Sequence, residues 1–326
     1  HADLAASWRG GANSWYDPNG QYPSPFDGTG HGTGTMGLIV GGSAGGSAIG
    51  MAPGAKWIAA KIFNNAGSAS YSAIHAAFQW VLDPDGVAAT DDAAHVVNNS
   101  WGFEDAVNTC NQEFEQDLKT LKAAGIAVVF SAGNQGPSGS SSVSPANNIS
   151  GFASGALDIN GIIADFSSRG PSTCGESVYP EITAPGVGVR TASLTSGGVF
   201  PQTYTTATGT SFAAPHISGA MALLLSRNPA ASVAELEYSL KNASRDLGSP
   251  GPDNTYGQGL LDVFAASALL GEGPVCIDND GDGFFGAAGC GTVKDCNDYD
   301  PRIHPAACDI IGDGIDQNCD GVDRLK

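Results

Sequence analysis

The most constraining feature of the sequence is a Gly-Thr-Ser turn that opens directly into a long apolar helix. Residues 209–216 read Gly-Thr-Ser-Phe-Ala-Ala-Pro-His, and the most apolar helical run of the chain, residues 217–225, follows them. Gly209 permits a sharp turn, which puts Ser211 at or near the helix N-terminus, where free N–H groups and the helix dipole favour negative charge. A serine that attacks a carbonyl group generates its oxyanion at such a place. Taken alone, the pattern is more typical of a serine that caps a helix.

Two upstream segments carry patterns of the same kind. Residues 30–37, Gly-His-Gly-Thr-Gly-Thr-Met-Gly, place His31 between glycines ahead of an apolar run, as in a loop that leads into a buried helix. Residues 128–136, Val-Val-Phe-Ser-Ala-Gly-Asn-Gln-Gly, form an apolar strand that ends near Asn134. Separately, each residue is typical of an ordinary loop histidine or turn asparagine. The ordered set of His, Asn and Ser, each in its own local pattern, is much rarer.

These segments resemble the signatures of subtilisin-like serine proteases, whose catalytic residues follow one another in the order Asp, His, Ser. The resemblance covers roughly residues 1–270 and is closest to the bacillopeptidase F-like branch of the family. It implies an α/β fold with a doubly wound parallel sheet. The resembling stretches are residues 31–33, 97–102, 133–134, 165–171, 184–186 and 209–215.

The resemblance also implies roles for particular residues in a secreted endopeptidase that needs no cofactor for catalysis. Ser211 is the expected nucleophile, and His31 is the expected general base and acid. Asn134 and the backbone N–H of Ser211 are expected to stabilise the oxyanion. One of the residues expected at the substrate, Trp101, is equally compatible with a role in core packing. Those residues are Ser100, Trp101, Gly102, Ala132 and Gly133.

The sequence departs from the family pattern at the catalytic aspartate. In the family this residue ends an apolar strand, a few residues before a segment that residues 1–4, His-Ala-Asp-Leu, resemble. We therefore expect the strand and its aspartate just ahead of residue 1. Asp3 matches a different family position, while Asp17 and Asp27 lie among Pro, Gly and Tyr. A catalytically inactive fragment or scaffold with the same fold is the alternative.

Hydrophobic periodicity predicts helices and strands in alternation, which favours a parallel sheet covered on both faces. A Ser-x-x-Glu capping box at Ser232 marks the start of one helix. The Gly/Ser-rich segment 135–144 is predicted to be mobile. Helices are predicted over residues 31–40, 71–82, 111–124 and 232–241, and strands over residues 55–63, 95–101, 126–130 and 182–186.

Composition limits the compartment and the partners. The formal net charge is −19, which argues against nucleic acid as a main partner. No window reaches the roughly 18 apolar residues of a membrane-spanning helix. Five of the seven cysteines follow residue 275, and this crowding predicts disulfides and so an extracellular or cell-surface location. We expect a monomer that acts on protein or peptide substrates.

Residues 272–326 are predicted to form a second, small unit after a peptidase domain at residues 1–271. This unit holds 12 acidic and 4 basic residues, a net charge of −8. Residues 278–283 and 316–321 each repeat the first half of an EF-hand-type calcium loop, and residues 295–300 are a third oxygen-rich cluster. The unit resembles the MopE-type metal-binding motif, a Cys- and Asp-rich module of bacterial surface proteins.

The oxygen-rich composition of this unit favours Ca²⁺, whereas copper would find only His304 nearby as an imidazole ligand. Two alternatives remain: an acidic, solvated tail without metal, or a calcium-dependent surface-binding module that is itself the main function. The predicted ligands are Asp278, Asp280, Asp282, Asp295, Asn297, Asp298, Asp300, Asp316, Asn318 and Asp320.

Overall fold

The protein is described here from a computed structural model, which covers residues 1–175, 177–195, 203–271, 276–286, 290 and 292–322. The helices, apart from a 3₁₀ turn at Ala12–Ser14, are α1 Ala2–Ala5, α2 His31–Val40, α3 Tyr71–Leu82, α4 Glu115–Ala123, α5 Thr210–Arg227, α6 Val233–Ala243 and α7 Val263–Leu269. The strands are β1 Trp15–Tyr16, β2 Ala59–Ala60, β3 Val96–Asn99, β4 Ala127–Ser131, β5 Phe152–Leu157, β6 Ile182–Pro185, β7 Val189–Ala192 and β8 Tyr204–Ala207.

A parallel sheet of four strands lies at the centre of the fold, in the order β3-β4-β5-β6. Strands β1 and β2 form a separate parallel pair, and β7 and β8 form an antiparallel hairpin. Successive side chains of β4 point to opposite faces of the sheet, as the two-residue period of a strand requires. Ala127 and Val129 join the core formed with α5, α6 and α7, whereas Val128 and Phe130 join the core formed with α3 and α4. The predicted α/β fold with a doubly wound parallel sheet is confirmed.

Two predicted elements are shorter in the structure. The strand predicted over residues 55–63 is reduced to β2. Two residues beside β2 still donate backbone hydrogen bonds, Trp57 to the carbonyl of Ser7 and Lys61 to the carbonyl of Tyr16 in β1. The helix predicted from residue 111 begins at Glu115. Hydrogen bonds of Asn111 to other parts of the chain hold that residue outside the helix. The backbone N–H of Asn111 donates to the hydroxyl of Ser144 at 2.9 Å, and its side chain accepts from the next turn.

The segment predicted to be mobile, residues 135–144, packs against residues 166–170. The backbone N–H of Gly136 donates to the carbonyl of Phe166 at 2.7 Å, and that of Ser140 donates to the carbonyl of Gly170 at 2.8 Å. Its small residues permit this close approach of two chain segments, so the Gly/Ser composition reflects packing.

The C-terminal unit has no helix or strand longer than an isolated bridge among its described residues. Disulfides join Cys276 to Cys290 and Cys296 to Cys319, which confirms the prediction drawn from cysteine crowding. A third disulfide joins Cys110 to Cys174 within residues 1–271, and the remaining cysteine, at position 308, is free and exposed. Most of the expected linker, residues 271–274, lies outside the described residues.

None of the described helices combines the length and the apolar character that crossing a membrane requires.

Candidate active site

Ser211 is the second residue of α5, as the Gly-Thr-Ser turn predicts. Gly209 precedes the helix with φ 149° and ψ 159°, a conformation that favours glycine. The hydroxyl of Ser211 donates to the carbonyl of Ser100 at 3.4 Å, and the hydroxyl of Ser100 donates to the carbonyl of Ser211 at 2.8 Å. Inside a helix the Ser211 carbonyl would accept from residue 215, but Pro215 has no N–H. The Ser100 hydroxyl therefore takes the place of that donor.

Asn134 is joined to the start of α5 through Thr210. The side-chain oxygen of Asn134 accepts from the backbone N–H of Thr210 at 3.0 Å and from its hydroxyl at 2.9 Å. The Thr210 hydroxyl oxygen in turn accepts the backbone N–H of Gly133, whose φ of 99° lies in the region that favours glycine. Because the amide oxygen is engaged in this way, the side-chain N–H₂ group is the part of Asn134 that is left to donate a hydrogen bond, and its role toward an oxyanion stays a prediction.

His31 is the first residue of α2, and its ring lies 5.5 Å from the ring of Phe212, which follows Ser211. Burial lowers the pKa of His31 below its ordinary value, although the charge of Asp27 acts in the opposite direction. A lowered pKa keeps the imidazole neutral near pH 7, the form that a general base requires. The direct hydrogen bond of Ser211 goes to Ser100, so the pairing of His31 with Ser211 stays a prediction.

Asp27 lies near His31 but holds the start of α2. Its carboxylate accepts the backbone N–H groups of Thr29 at 3.0 Å, Gly30 at 2.9 Å and Thr33 at 2.7 Å. Burial would raise the pKa of Asp27, but these hydrogen bonds lower it. The carboxylate therefore stays ionised as a helix cap, rather than orienting the imidazole.

The other two aspartates in the N-terminal region also have structural partners. Asp3 accepts the hydroxyl of Tyr204 at 2.7 Å. Asp17 accepts backbone N–H groups of its own turn, including that of Tyr22 at 2.8 Å.

A cavity of about 2100 Å³ is lined by both His31 and Ser211, together with Ser100, Trp101 and Gly102. The ring of Trp101 also packs at 5.9 Å from Phe114 and from Phe130, so it contributes to the core as well. Two other residues predicted at the substrate, Ala132 and Gly133, do not line this cavity. Ala132 is fully buried, and its N–H donates to the carbonyl of Ser154. The binding roles of all five residues remain predictions.

The same cavity extends between β2 and β3, whose residues line it. Among the described residues, β2 pairs only with β1, and β3 only with β4. Each strand therefore has one edge that is unpaired within the described structure. Unpaired backbone groups along a strand edge are a template for another strand.

Three carboxylates converge at the first half-loop of the C-terminal unit. Oxygen atoms of Asp280, Asp282 and Asp295 lie within 4.8 Å of one another, and each of these residues has a buried Oδ2 with no hydrogen-bond partner in the described part of the chain. The Oδ1 of Asn297 is also buried and unpartnered. Burial, followed by neighbouring carboxylate charge, raises the pKa of Asp280 to about 6. Unpartnered buried oxygens of this kind fit a hard cation.

Further carboxylates predicted as ligands fall into two other groups. Asp278 and Asp298 join Asp280 in one group. Asp316 and Asp320 join Asp309 in the other, and sequence analysis did not identify Asp309 because it lies outside the half-loop spacing.

Two further predicted ligands are engaged in hydrogen bonds to neighbouring residues. The carboxylate of Asp300 is engaged by the guanidinium of Arg302, at 2.8 and 2.6 Å. Asn318 donates its side-chain N–H to Asp309 at 3.0 Å, and its side-chain oxygen accepts the backbone N–H of Asp320 at 2.9 Å. Asn318 therefore braces the second group of carboxylates. One more acidic group follows α3 and was also not identified from sequence; it comprises Asp83, Asp85 and Asp92.

Comparison with known protein families gives two matches. Residues 1–259 match the model of the subtilase family, and residues 295–323 match that of a metal-binding motif. Bacillopeptidase F of Bacillus subtilis (strain 168) is 40% identical over 287 residues, which are 82% of this chain and 19% of that protein. Subtilisin DY of Bacillus licheniformis is 35% identical over 244 residues, which are 74% of this chain and 78% of that protein. The chain therefore spans about a fifth of bacillopeptidase F.

Solved structures resemble the chain over the same region. The S41 psychrophilic protease superposes with a TM-score of 0.68 and 28% identity, over 81% of this chain and 87% of its own. Sphericase superposes with a TM-score of 0.67 and 26% identity, over 80% of this chain and 86% of its own.

Proposed function

The chain belongs to the subtilase family of serine endopeptidases, and from that premise we propose that it cleaves peptide bonds through an acyl-enzyme formed on Ser211. The observation that carries the proposal is the group of hydrogen bonds at the start of α5. There Ser211 is fixed by Ser100, and Asn134 is fixed by Thr210.

In the proposed reaction, the hydroxyl oxygen of Ser211 attacks the scissile carbonyl while His31 accepts the hydroxyl proton. The side-chain N–H₂ of Asn134 and the backbone N–H of Ser211 donate to the oxyanion. Protonated His31 then donates its proton to the leaving amine as the C–N bond breaks. In the second half of the reaction water attacks the acyl carbon while His31 accepts its proton, and the ester bond breaks as His31 returns that proton to the Ser211 oxygen. The chemistry requires no cofactor.

An orienting carboxylate for His31 is proposed to come from a further strand in the cavity between β2 and β3. Both strands have an edge that is unpaired among the described residues, and residues of both strands line the cavity that His31 also lines. The occupant would be a short apolar strand that ends in an aspartate. The three aspartates between residues 1 and 31 have other hydrogen-bond partners, which supports this source.

The proposal is tested by adding such a strand in trans. A synthetic peptide of about six apolar residues ending in Asp is titrated into the chain, and hydrolysis of a chromogenic peptide is followed. The Asp-ended peptide should raise kcat/KM, by up to about 10⁴-fold at saturation. A matched peptide ending in Asn should not raise it.

Chain variants separate the possible outcomes. Ser211→Ala should abolish the response, whereas Ser24→Ala, at an exposed serine on the same cavity, should not change it. Ser211-dependent hydrolysis that neither peptide raises would refute the strand while supporting the endopeptidase. The absence of any Ser211-dependent hydrolysis would favour an inactive scaffold.

The C-terminal unit is proposed to bind Ca²⁺. Support comes from the match of residues 295–323 to a metal-binding motif and from the unpartnered oxygens of Asp280, Asp282, Asp295 and Asn297. Carboxylate and amide oxygens suit a hard cation, which the bound ion would be. Domain boundaries at residues 1–271 and 272–326 remain part of this proposal.

A secreted, monomeric protein is the proposed context. Three disulfides suit an oxidising compartment, and the net charge of −19 disfavours nucleic acid as a partner. The expected substrates are proteins or peptides.

A further inference from the structure

The C-terminal unit contacts the peptidase domain through Tyr299. The centroid of its ring lies 5.3 Å from the Nζ of Lys122 on α4, a distance at which an aromatic face attracts a cation. Lys122 also forms a 2.6 Å ion pair with Glu237 on α6, and these two side chains are only 3% and 11% exposed. Tyr299 therefore packs on a buried charge pair that joins two helices of the peptidase domain.

The contact depends on the ring of Tyr299 rather than on its hydroxyl. The hydroxyl oxygen is buried and has no hydrogen-bond partner among the described residues. A phenylalanine at this position should therefore keep the contact, whereas an alanine should remove it.

Tyr299 lies in the segment that carries two buried carboxylates. Asp295 is 2% exposed and Asp298 is 6% exposed. The Oδ2 of Asp295 is buried and has no hydrogen-bond partner among the described residues, and Asp295 belongs to the group with Asp280 and Asp282, whose oxygens lie within 4.8 Å of one another. A carboxylate oxygen that is buried this deeply beside two others points to a bound cation.

Hydrogen bonds make this group and the Tyr299 segment one unit. Asp298 accepts the backbone N–H of Asn279 at 3.2 Å and its side-chain N–H at 2.6 Å. The backbone N–H of Asp295 donates to the carbonyl of Phe285 at 2.9 Å. The first half-loop therefore fixes the position of the segment that places Tyr299.

Without a cation, three ionised carboxylates this close together repel one another and oppose this arrangement. We infer that a divalent cation held by Asp280, Asp282 and Asp295 keeps Tyr299 on Lys122, and so clamps α4 and α6 of the peptidase domain. The inference rests on the proposed metal-binding function of the C-terminal unit. It gives that unit a stabilising action on the domain that carries Ser211.

The test uses the full chain and Ca²⁺ as the probe. All five tryptophans precede residue 272, so tryptophan fluorescence reports the unfolding of the peptidase domain. Calorimetric titration measures Ca²⁺ binding separately. In the unaltered chain, Ca²⁺ should raise the Tm of the tryptophan transition over that in EDTA, by at least about 2 °C for a domain of this size.

Variants of Tyr299 and of Asp295 separate Ca²⁺ binding from the effect of the Tyr299–Lys122 contact on stability. Tyr299→Ala should still bind Ca²⁺ but should lose the part of the Tm shift that depends on the contact, while Tyr299→Phe should keep it. Asp295→Asn should lose both the binding and the shift. Val293→Ala, at a residue 68% exposed in the same unit, is the matched control and should behave as the unaltered chain.

Two results would overturn the inference, and they can be told apart. If Tyr299→Ala binds Ca²⁺ and keeps the full shift, the clamp is wrong while the metal site stands. If the full chain binds no Ca²⁺, the proposed metal-binding function fails first. A shift common to every variant would arise at another acidic group, so the difference between Tyr299→Phe and Tyr299→Ala is the deciding quantity.

Discussion

The hydroxyl of Ser100 donates to the carbonyl of Ser211 at 2.8 Å, and the hydroxyl of Ser211 lies 3.4 Å from the carbonyl oxygen of Ser100. This reciprocal pair ties the end of β3 to the first turn of α5. It also compensates for Pro215, which cannot donate to the Ser211 carbonyl. The position of the proposed nucleophile is therefore fixed by a strand end as well as by its own helix.

Replacing Ser100 tests this relationship. Ser100→Ala should lower kcat more than it changes KM, because the Ser211 carbonyl loses its donor and the first turn of α5 loses its tie to β3. The loss of this hydrogen bond should also lower the free energy of unfolding. Adding Pro215→Ala supplies a backbone N–H to the same carbonyl and should recover part of that loss. Steady-state kinetics and thermal unfolding of the single and double variants measure both effects. If the double variant is the sum of the singles, the two donors do not share the carbonyl.

Loss of the Asn134 amide should affect catalysis rather than binding. Asn134→Ala is expected to lower kcat by about 10²–10³-fold, the range known for loss of one oxyanion donor in a subtilisin, with little change in KM. Thr210→Val, which leaves Asn134 only one of its two hydrogen bonds from Thr210, should give a smaller loss. A change confined to KM would mean that Asn134 shapes the binding cleft only.

His75 on α3 should make stability depend on pH. Its ring nitrogens bond to Asp117 at 2.8 Å and to Glu113 at 3.2 Å. Burial lowers the pKa of His75, but these two carboxylates outweigh it and raise the pKa. Because the folded state then binds the proton more tightly, the stabilisation is complete below the ordinary pKa of about 6.5 and is lost as pH rises through the raised value.

The measurement compares the unaltered chain with His75→Gln by chemical unfolding on both sides of that window. The difference in free energy of unfolding should be larger at the acidic end and should shrink as pH rises. A difference that grows with pH would reverse the sign and refute the assignment.

The buried ion pair between Lys122 and Glu237 should respond asymmetrically to substitution. Lys122→Met leaves the carboxylate of Glu237, whose side chain is only 11% exposed, without its cation, at a cost of roughly 3–5 kcal/mol in the free energy of unfolding. Replacing Glu237 by Leu in addition removes that charge and should recover most of the loss. Additive losses in a double-mutant cycle would show that the pair is not coupled.

Local sequence patterns were sufficient to predict the fold class and the start of α5. The apolar run after Ser211 and the alternation of strands and helices depend on near neighbours in the chain, as does the capping box at Ser232, in which the Ser232 hydroxyl accepts the N–H of Glu235. The predicted helices at α2 and α3 match the structure to the residue for the same reason.

Features set by distant residues could not be predicted. The start of α4 depends on a hydrogen bond from Asn111 to Ser144, 33 positions along the chain. Asp309 joins its carboxylate group only through the fold of the C-terminal unit. The contact of Tyr299 with Lys122 joins residues of the two predicted units, and no local pattern around either residue indicates it.

The most direct measurement of the central claim is the site of covalent labelling by phenylmethanesulfonyl fluoride. The reagent is added to the chain with the Asp-ended strand peptide present, and the sulfonyl adduct is located by peptide mapping and mass spectrometry. We predict one adduct, on Ser211, that forms faster with the Asp-ended than with the Asn-ended peptide and is absent from Ser211→Ala. An adduct on another serine, or one that persists in Ser211→Ala, would contradict the assignment of Ser211 as the nucleophile.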